Sequence, residues 1–319
     1  MTIYRGYRDS SGQRHQLVLS IFPGIDLLGR AFEEEGFCIV RGPDILWGGD
    51  IRLFHPPVGV FAGIIGGPPC PEFSPLRSLI KAHGYTTRHG NLIPEFQRVV
   101  SEAQPDWYLM EEGALAPNAP VNGYAVHGFF LCPTWLGEEQ RRKRKFCFGV
   151  KGEQHIDLRQ WIEYAGLQAL EPQGAIYRFP VDNSPEAKGR VKQPAVTHHP
   201  EIYPVKRGGS GKLKPQLVQT GGKSTYIEDG KVKKAPRRTF AECCRLQGLP
   251  DNFLAEAPFT LTGKREVLGN GVPLQMGRAV ARAIRKATEH LFRARGRPTL
   301  VDTRRSQESW LEEAIYYET

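Results

Sequence analysis

Residues 17–26 read Leu-Val-Leu-Ser-Ile-Phe-Pro-Gly-Ile-Asp, an apolar run that stops at a proline and a glycine. The run from Leu17 to Phe22 reads as a buried strand, and the break at Pro23-Gly24 turns the chain. Leu27 to Glu35 follows, with Leu27, Leu28, Ala31 and Phe32 on one face at helical spacing. A strand that turns on a glycine into a helix brings backbone close to a ligand and aims helix N–H groups at negative charge. Alone, this is also an ordinary strand-to-helix connection.

Outward from that unit the alternation repeats. Phe37 to Val40 reads as the second strand, and Val58 to Ile65 as a third that ends in the turn Gly66-Gly-Pro-Pro-Cys70. Leu92 to Ala103 has helical spacing, and Trp107 to Met110 is a strand closed by Glu111-Glu112. Phe146 to Val150 adds a further strand directly after the basic run Gln140 to Lys145. Short apolar runs alternating with helices predict an α/β fold with a parallel sheet. From about 189 to 238 the chain turns rich in Gly, Pro and Lys with little apolar periodicity, a loop-rich module or long insertion. Helical patterning returns at Thr239 to Gly248 and at Pro273 to Phe292, and the tail from Arg295 is polar.

A hydrophobic content of 40% over 319 residues supports a sizeable core and argues against global disorder. The net charge of +9 favours a polyanionic partner, because Lys and Arg displace counterions condensed on nucleic acid. The six cysteines contain no C-x-x-C pair, so neither a metal site nor a dithiol redox centre is expected. Their usage fits a reducing cytosol, and no run approaches 18 apolar residues, so the expected setting is soluble and cytoplasmic, away from membranes.

Three features carry chemistry. A strand delivers Cys70 to a stiff, proline-framed turn at the carboxyl edge of the sheet, where open α/β folds bind ligands. A thiol held there has the fixed direction and partial exposure that a nucleophile needs. Glu111 and Glu112 end a second strand at the same edge, and a buried carboxyl there can hold a proton. Asp44 and Asp50 lie beyond the second strand, where carboxylates can accept from ribose hydroxyls and an adenine amine, and Arg141, Arg142 and Arg144 add an anion-handling stretch.

These residues, in this order, resemble the cytosine-5 DNA methyltransferase family of bacterial or phage type up to about residue 290. Phe22-x-Gly24 resembles its cofactor motif, Gly67-Pro-Pro-Cys70 with Phe73-Ser74 its nucleophile motif, and Met110-Glu111 its base-binding motif. Gln140-x-Arg142-x-Arg144 matches the third catalytic block. Glu242-x-x-Arg245-x-Gln247-Gly248-x-Pro250 resembles the block that supports the recognition region, and Gly269-Asn270-x-Val272-Pro273 the last block.

The resemblance implies a Rossmann-like S-adenosylmethionine-dependent methyltransferase fold with a smaller, loop-rich target-recognition domain. Residues 1–150 would form the catalytic and cofactor-binding domain and 151–238 the target-recognition region. Residues 239–294 would return to the catalytic domain, leaving 295–319 as a tail. It implies Cys70, Glu111, Arg142 and Arg144 as the catalytic set. Phe22, Gly24, Asp44, Asp50, Ile51, Pro69 and Asn270 would hold S-adenosylmethionine. Ser74, Arg88, Lys206, Arg207, Lys212 and Lys214 would contact double-stranded DNA, with residues 71–90 as a mobile loop over the flipped base. A monomer is expected, with any restriction nuclease on a separate chain. Alternatives are methylation of RNA, transfer of a different one-carbon-derived group and a non-catalytic DNA-binding relative. The sequence departs from the family pattern at Pro71 (usually glutamine), at Glu112 (usually asparagine), and at Asp26 and Leu27 (commonly glycines).

Overall fold

A computed structural model describes residues 6–8, 14–69, 90–164, 193–194, 217–220, 223–228, 231–234 and 238–294. The strands are β1 (Gly6–Arg8), β2 (Arg14–Ile21), β3 (Cys38–Arg41), β4 (Gly63–Gly66), β5 (Trp107–Gly113), β6 (Tyr124–Leu131), β7 (Gln140–Arg141) and β8 (Arg144–Lys151). They are followed by β9 (Gln193–Pro194), β10 (Leu217–Thr220), β11 (Lys223–Glu228) and β12 (Lys231–Lys234). The helices are α1 (Leu27–Glu34), α2 (Ile93–Ala103), α3 (Phe240–Leu246), α4 (Leu261–Asn270) and α5 (Leu274–Ala294).

The main sheet has the order β1-β2-β4-β5-β8-β6, with β3 also on β2. Strands β3, β2, β4 and β5 run parallel, and β8 enters antiparallel between β5 and β6. The carboxyl ends of β2, β4 and β5 therefore share one edge with the amino end of β8. Alternation along the strands divides the core. Val18, Ile65, Trp107 and Leu109 pack with Leu28 and Phe32 of α1 and Val280 and Ile284 of α5. Leu19, Ile64, Tyr108 and Met110 face Phe96, Val99 and Val100 of α2. Helices on both faces explain why these strands read as continuous apolar runs.

Several expectations change in detail. Only Gly63–Gly66 of the third predicted strand pairs, because Val58 and Gly59 form a turn after Pro56-Pro57. Glu111 and Glu112 lie inside β5, since its ladder with β8 continues to Gly113. Strand β6 escaped the sequence reading, because His127-Gly128 interrupts its apolar pattern and most of it is half-buried. Helix α4 also escaped it, burying only Leu268 and Gly269. The segment read as loop-rich contains an antiparallel meander, β10-β11-β12, and β9 pairs with β7. Cys243 and Cys244 of α3 are buried in a cluster with Leu27 and Ala31 of α1. No helix among the described residues is long and apolar enough to cross a membrane.

Candidate active site

At the end of β2 the chain reverses through Phe22 (φ 54°), Gly24 (φ 56°) and Asp26 (φ 55°) before α1 starts. Asp26 is the N-cap of α1, accepting from Gly29 N–H at 3.1 Å and from Ser20 Oγ at 2.8 Å. Arg41 Nε lies 2.8 Å from its other oxygen. Burial raises the Asp26 pKa, and Ser20 and Arg41 oppose that rise. This departure from the glycine-rich turn is thus a structural substitution that caps the helix. It requires Gly29, where a Cβ would lie 2.3 Å from the Asp26 carboxylate.

The turn is tied to the segment after β3. Gly24 N–H donates to Asp44 Oδ2 at 2.8 Å, while Leu46 N–H donates to Asp44 Oδ1 at 2.8 Å. Trp47 Nε1 donates to the Gly24 carbonyl at 2.7 Å, and its ring meets that of Phe259 at 6.1 Å. Asp50 caps the 3-10 turn Ile51–Leu53 through Arg52 N–H at 2.9 Å. Between these elements opens a small, open cleft, with Phe22, Asp44, Asp50, Ile51, Pro69 and Leu92 among its walls. An aromatic ring, apolar walls and two carboxylates suit a ligand with a flat heterocycle, an amine and hydroxyl donors.

Of the residues expected to hold the cofactor, Phe22, Asp44, Asp50, Ile51 and Pro69 come together in this cleft. Gly24 supports it from behind through the bonds to Asp44 and Trp47. Asn270 ends α4 as an exposed residue. Its neighbour Gly271 packs on Leu27 so closely that a Cβ would sit 2.6 Å from that side chain, which brings Asn270 to the start of α1. Trp47 was not singled out from sequence, because its role rests on contacts with distant Gly24 and Phe259.

Beside the cleft, Glu111 is 8% exposed, and Arg144 Nε lies 3.0 Å from its Oε1. Gly67 faces the same carboxyl: a Cβ there would lie 3.2 Å from Oε2. Burial raises the Glu111 pKa above the ordinary range, against the pull of Arg144 and then Arg142. Glu112 is 7% exposed, accepts Gly113 N–H at 3.0 Å on Oε2, and has no hydrogen-bond partner on Oε1. Burial, then the charge of Glu111, pushes its pKa to about 8. Arg142 is also buried; burial and then Arg144 lower its pKa to about 9. It donates to the Gly269 carbonyl at 2.7 Å.

Two glutamines join the distant blocks. Gln140 Nε2 donates to Leu246 O at 2.6 Å and to Gln247 Oε1 at 2.9 Å. Gln247 Nε2 then donates to Leu268 O at 2.6 Å and Gly271 O at 3.1 Å. The basic strand, α3 and the loop after α4 are thus one hydrogen-bonded unit. Changing Gln247 to Leu removes one partner each from Gln140, from the Leu268 carbonyl, which keeps Gly271 N–H, and from the part-buried Gly271 carbonyl. The expected loss is ~2–4 kcal/mol, read from urea unfolding; an unchanged midpoint would mean that the network is dispensable.

Cys70, Pro71, Ser74, Arg88, Lys206, Arg207, Lys212 and Lys214 lie outside the described residues. Pro69, immediately before Cys70, is in the cleft wall. Among the described residues, no group of three His, Cys, Asp or Glu side chains is arranged to hold a metal ion.

A profile of the C-5 cytosine-specific DNA methylase family matches residues 48–113 and 121–286. The chain is 25% identical to the type II methyltransferase M.NgoPII of Neisseria gonorrhoeae, over 85% of this chain and 96% of that one. It is 23% identical to the type II methyltransferase M.NmeDI of Neisseria meningitidis serogroup C, over 73% of this chain, and spans 66% of that relative's length. Among solved structures, the methyltransferase EhMeth of Entamoeba histolytica superposes with a TM-score of 0.50 at 15% identity, covering 88% of this chain and 99% of that one. The likeness is one of fold.

Proposed function

The chain belongs to the C-5 cytosine-specific DNA methylase family, and from that premise we propose that it methylates C5 of a cytosine flipped out of duplex DNA, with S-adenosylmethionine as donor and Cys70 as nucleophile. The observation that carries this reading is the pair of buried Glu111 and part-buried Arg144 beside a cleft walled by Phe22, Asp44 and Asp50. The cleft fits an adenosyl group: Phe22 offers a ring face for adenine, Asp50 an acceptor for its amine and Asp44 an acceptor for the ribose. When bound, S-adenosylmethionine supplies an electrophilic methyl group on a sulfonium.

C5 of cytosine is a poor nucleophile until a group adds at C6. The Cys70 thiolate makes that bond, and charge moves to N3 and O2 of the ring. In this reading Glu111, whose pKa burial raises, gives N3 a proton and accepts from the exocyclic amine. Arg144 meets O2, and Arg142 fixes the strand that carries it by bonding Gly269 O. With a methyl group on C5, loss of the C5 proton to water would break the Cys70–C6 bond and release the thiolate, and the N3 proton would return to Glu111. A base stacked in a duplex cannot reach these groups, so flipping must come first.

Residues 151–238, with the β10–β12 meander, serve in this reading as the target-recognition region. Lys206, Arg207, Lys212 and Lys214 contribute phosphate contacts there, as Ser74 and Arg88 do from the loop over the base. The enzyme works as a monomer, and a cognate nuclease would be a separate chain.

Purified protein and Cys70→Ala, each incubated with S-adenosylmethionine and cytosine-rich duplex DNA, test the reading by mass spectrometry of the digested nucleosides. 5-Methyldeoxycytidine is expected from the wild type and not from Cys70→Ala. Methylation that persists in the variant would remove Cys70 from the mechanism, and product found only in RNA would move the substrate class.

A further inference from the structure

Behind the cofactor cleft, Arg98 of α2 reaches across to the Ile51–Leu53 turn. Its Nη2 donates to Ile51 O at 2.8 Å and its Nη1 to Phe54 O at 3.0 Å, bracketing the turn that Asp50 caps. The guanidinium is aimed from its own helix. Nε donates to Glu95 at 2.8 Å and Nη1 to both Glu102 oxygens at 2.9 Å, while His55 Nδ1 lies 3.0 Å from Glu102. A planar fork spans two carbonyls and two carboxylates at once, which a single ammonium does not do. Ile51 is 4% exposed and packs with Phe96 and Val100 on the same helix, so polar and apolar contacts agree on one position for the turn. Leu92, the residue before α2, is itself in the cleft wall.

We propose that Arg98 is the positioning residue that sets the Asp50–Ile51 wall of the cleft and, through it, the affinity for the adenosyl end of the methyl donor. The proposal rests on the S-adenosylmethionine reading. Without the bridge, the turn keeps its cap and the packing of Ile51 but loses its hydrogen bonds to α2, and Asp50 and Ile51 are less well preorganised for a ligand. The defect falls on donor binding, because Glu111 and Arg144 belong to β5 and β8, away from the turn.

The test is calorimetric titration of the full-length protein with S-adenosylhomocysteine, for wild type, Arg98→Lys and Glu102→Gln. Donor KM, DNA KM and kcat are measured alongside. Arg98→Lys is expected to weaken binding about 10- to 100-fold, with a matching rise in donor KM and a much smaller change in kcat and DNA KM. Glu102→Gln, which keeps both carbonyl bonds but loosens the aim of the fork, should lie between it and wild type; it also serves if Arg98→Lys fails to fold. Wild-type affinity in both variants would overturn the proposal, and so would equal losses in donor and DNA binding. Failure of the wild type to bind S-adenosylhomocysteine would instead overturn the donor reading on which it rests.

Discussion

Glu111→Gln is expected to lower kcat by ~10²–10⁴-fold, the range for loss of a positioned general acid, while DNA and donor affinities change little. Gln has nearly the same shape, so it can still accept from the cytosine amine and fill the space against Gly67. It cannot hand a proton to N3 while Cys70 adds to C6. Burial raises the Glu111 pKa, and Arg144, 3.0 Å away, moderates the rise without abolishing it. Single-turnover rates with saturating DNA and donor read the effect directly. A rate within tenfold of wild type would mean that N3 is not protonated by Glu111.

Glu112→Gln is expected to act in the opposite direction, on stability. The Glu112 carboxyl is neutral in the fold up to about pH 8, because burial and the adjacent Glu111 disfavour its charge. Its reference value in an exposed chain is 4.5. Below that value both states hold the proton and the residue costs nothing. Between pH 4.5 and about 8 the unfolded chain ionises while the fold does not, so unfolding free energy falls as pH rises. Above about pH 8 the full cost remains. Gln cannot ionise and removes this slope. The variant should therefore match wild type near pH 4 and exceed it by ~2–5 kcal/mol near pH 8.5, measured by urea unfolding across the range. Glu111 contributes a slope of the same sign, which remains in the variant. An unaltered difference between the two proteins from pH 4 to 8.5 would mean that Glu112 is already ionised in the fold.

The edge of the sheet that carries the candidate site was largely legible because it is written in local sequence. Apolar runs ending at Phe22-Pro-Gly24 and at Gly66-Gly-Pro-Pro-Cys70 mark strands that stop at turns, and parallel strands place such stops on one edge. Residues such as Asp44 and Asp50 were reachable because they follow β3 at short range. Strand β6 and helix α4 were not, since their half-buried surfaces carry no clean period. Arg98, Trp47 and Gln247 were invisible in these roles. Each acts through a backbone carbonyl of a remote segment, and a carbonyl has no sequence signature.

By itself the sequence determined the parallel α/β core, the order of the blocks and the residue types available for chemistry, because side-chain periodicity and turn residues are local properties. The fold decided what burial does to them. It made Asp26 a helix cap, put Glu111 and Glu112 in the ladder with β8 where burial raises the pKa of each, and set Arg142 against Gly269 O. A carboxyl's proton and a guanidinium's aim depend on desolvation and on partners tens to hundreds of residues away, which only the packed chain brings within reach.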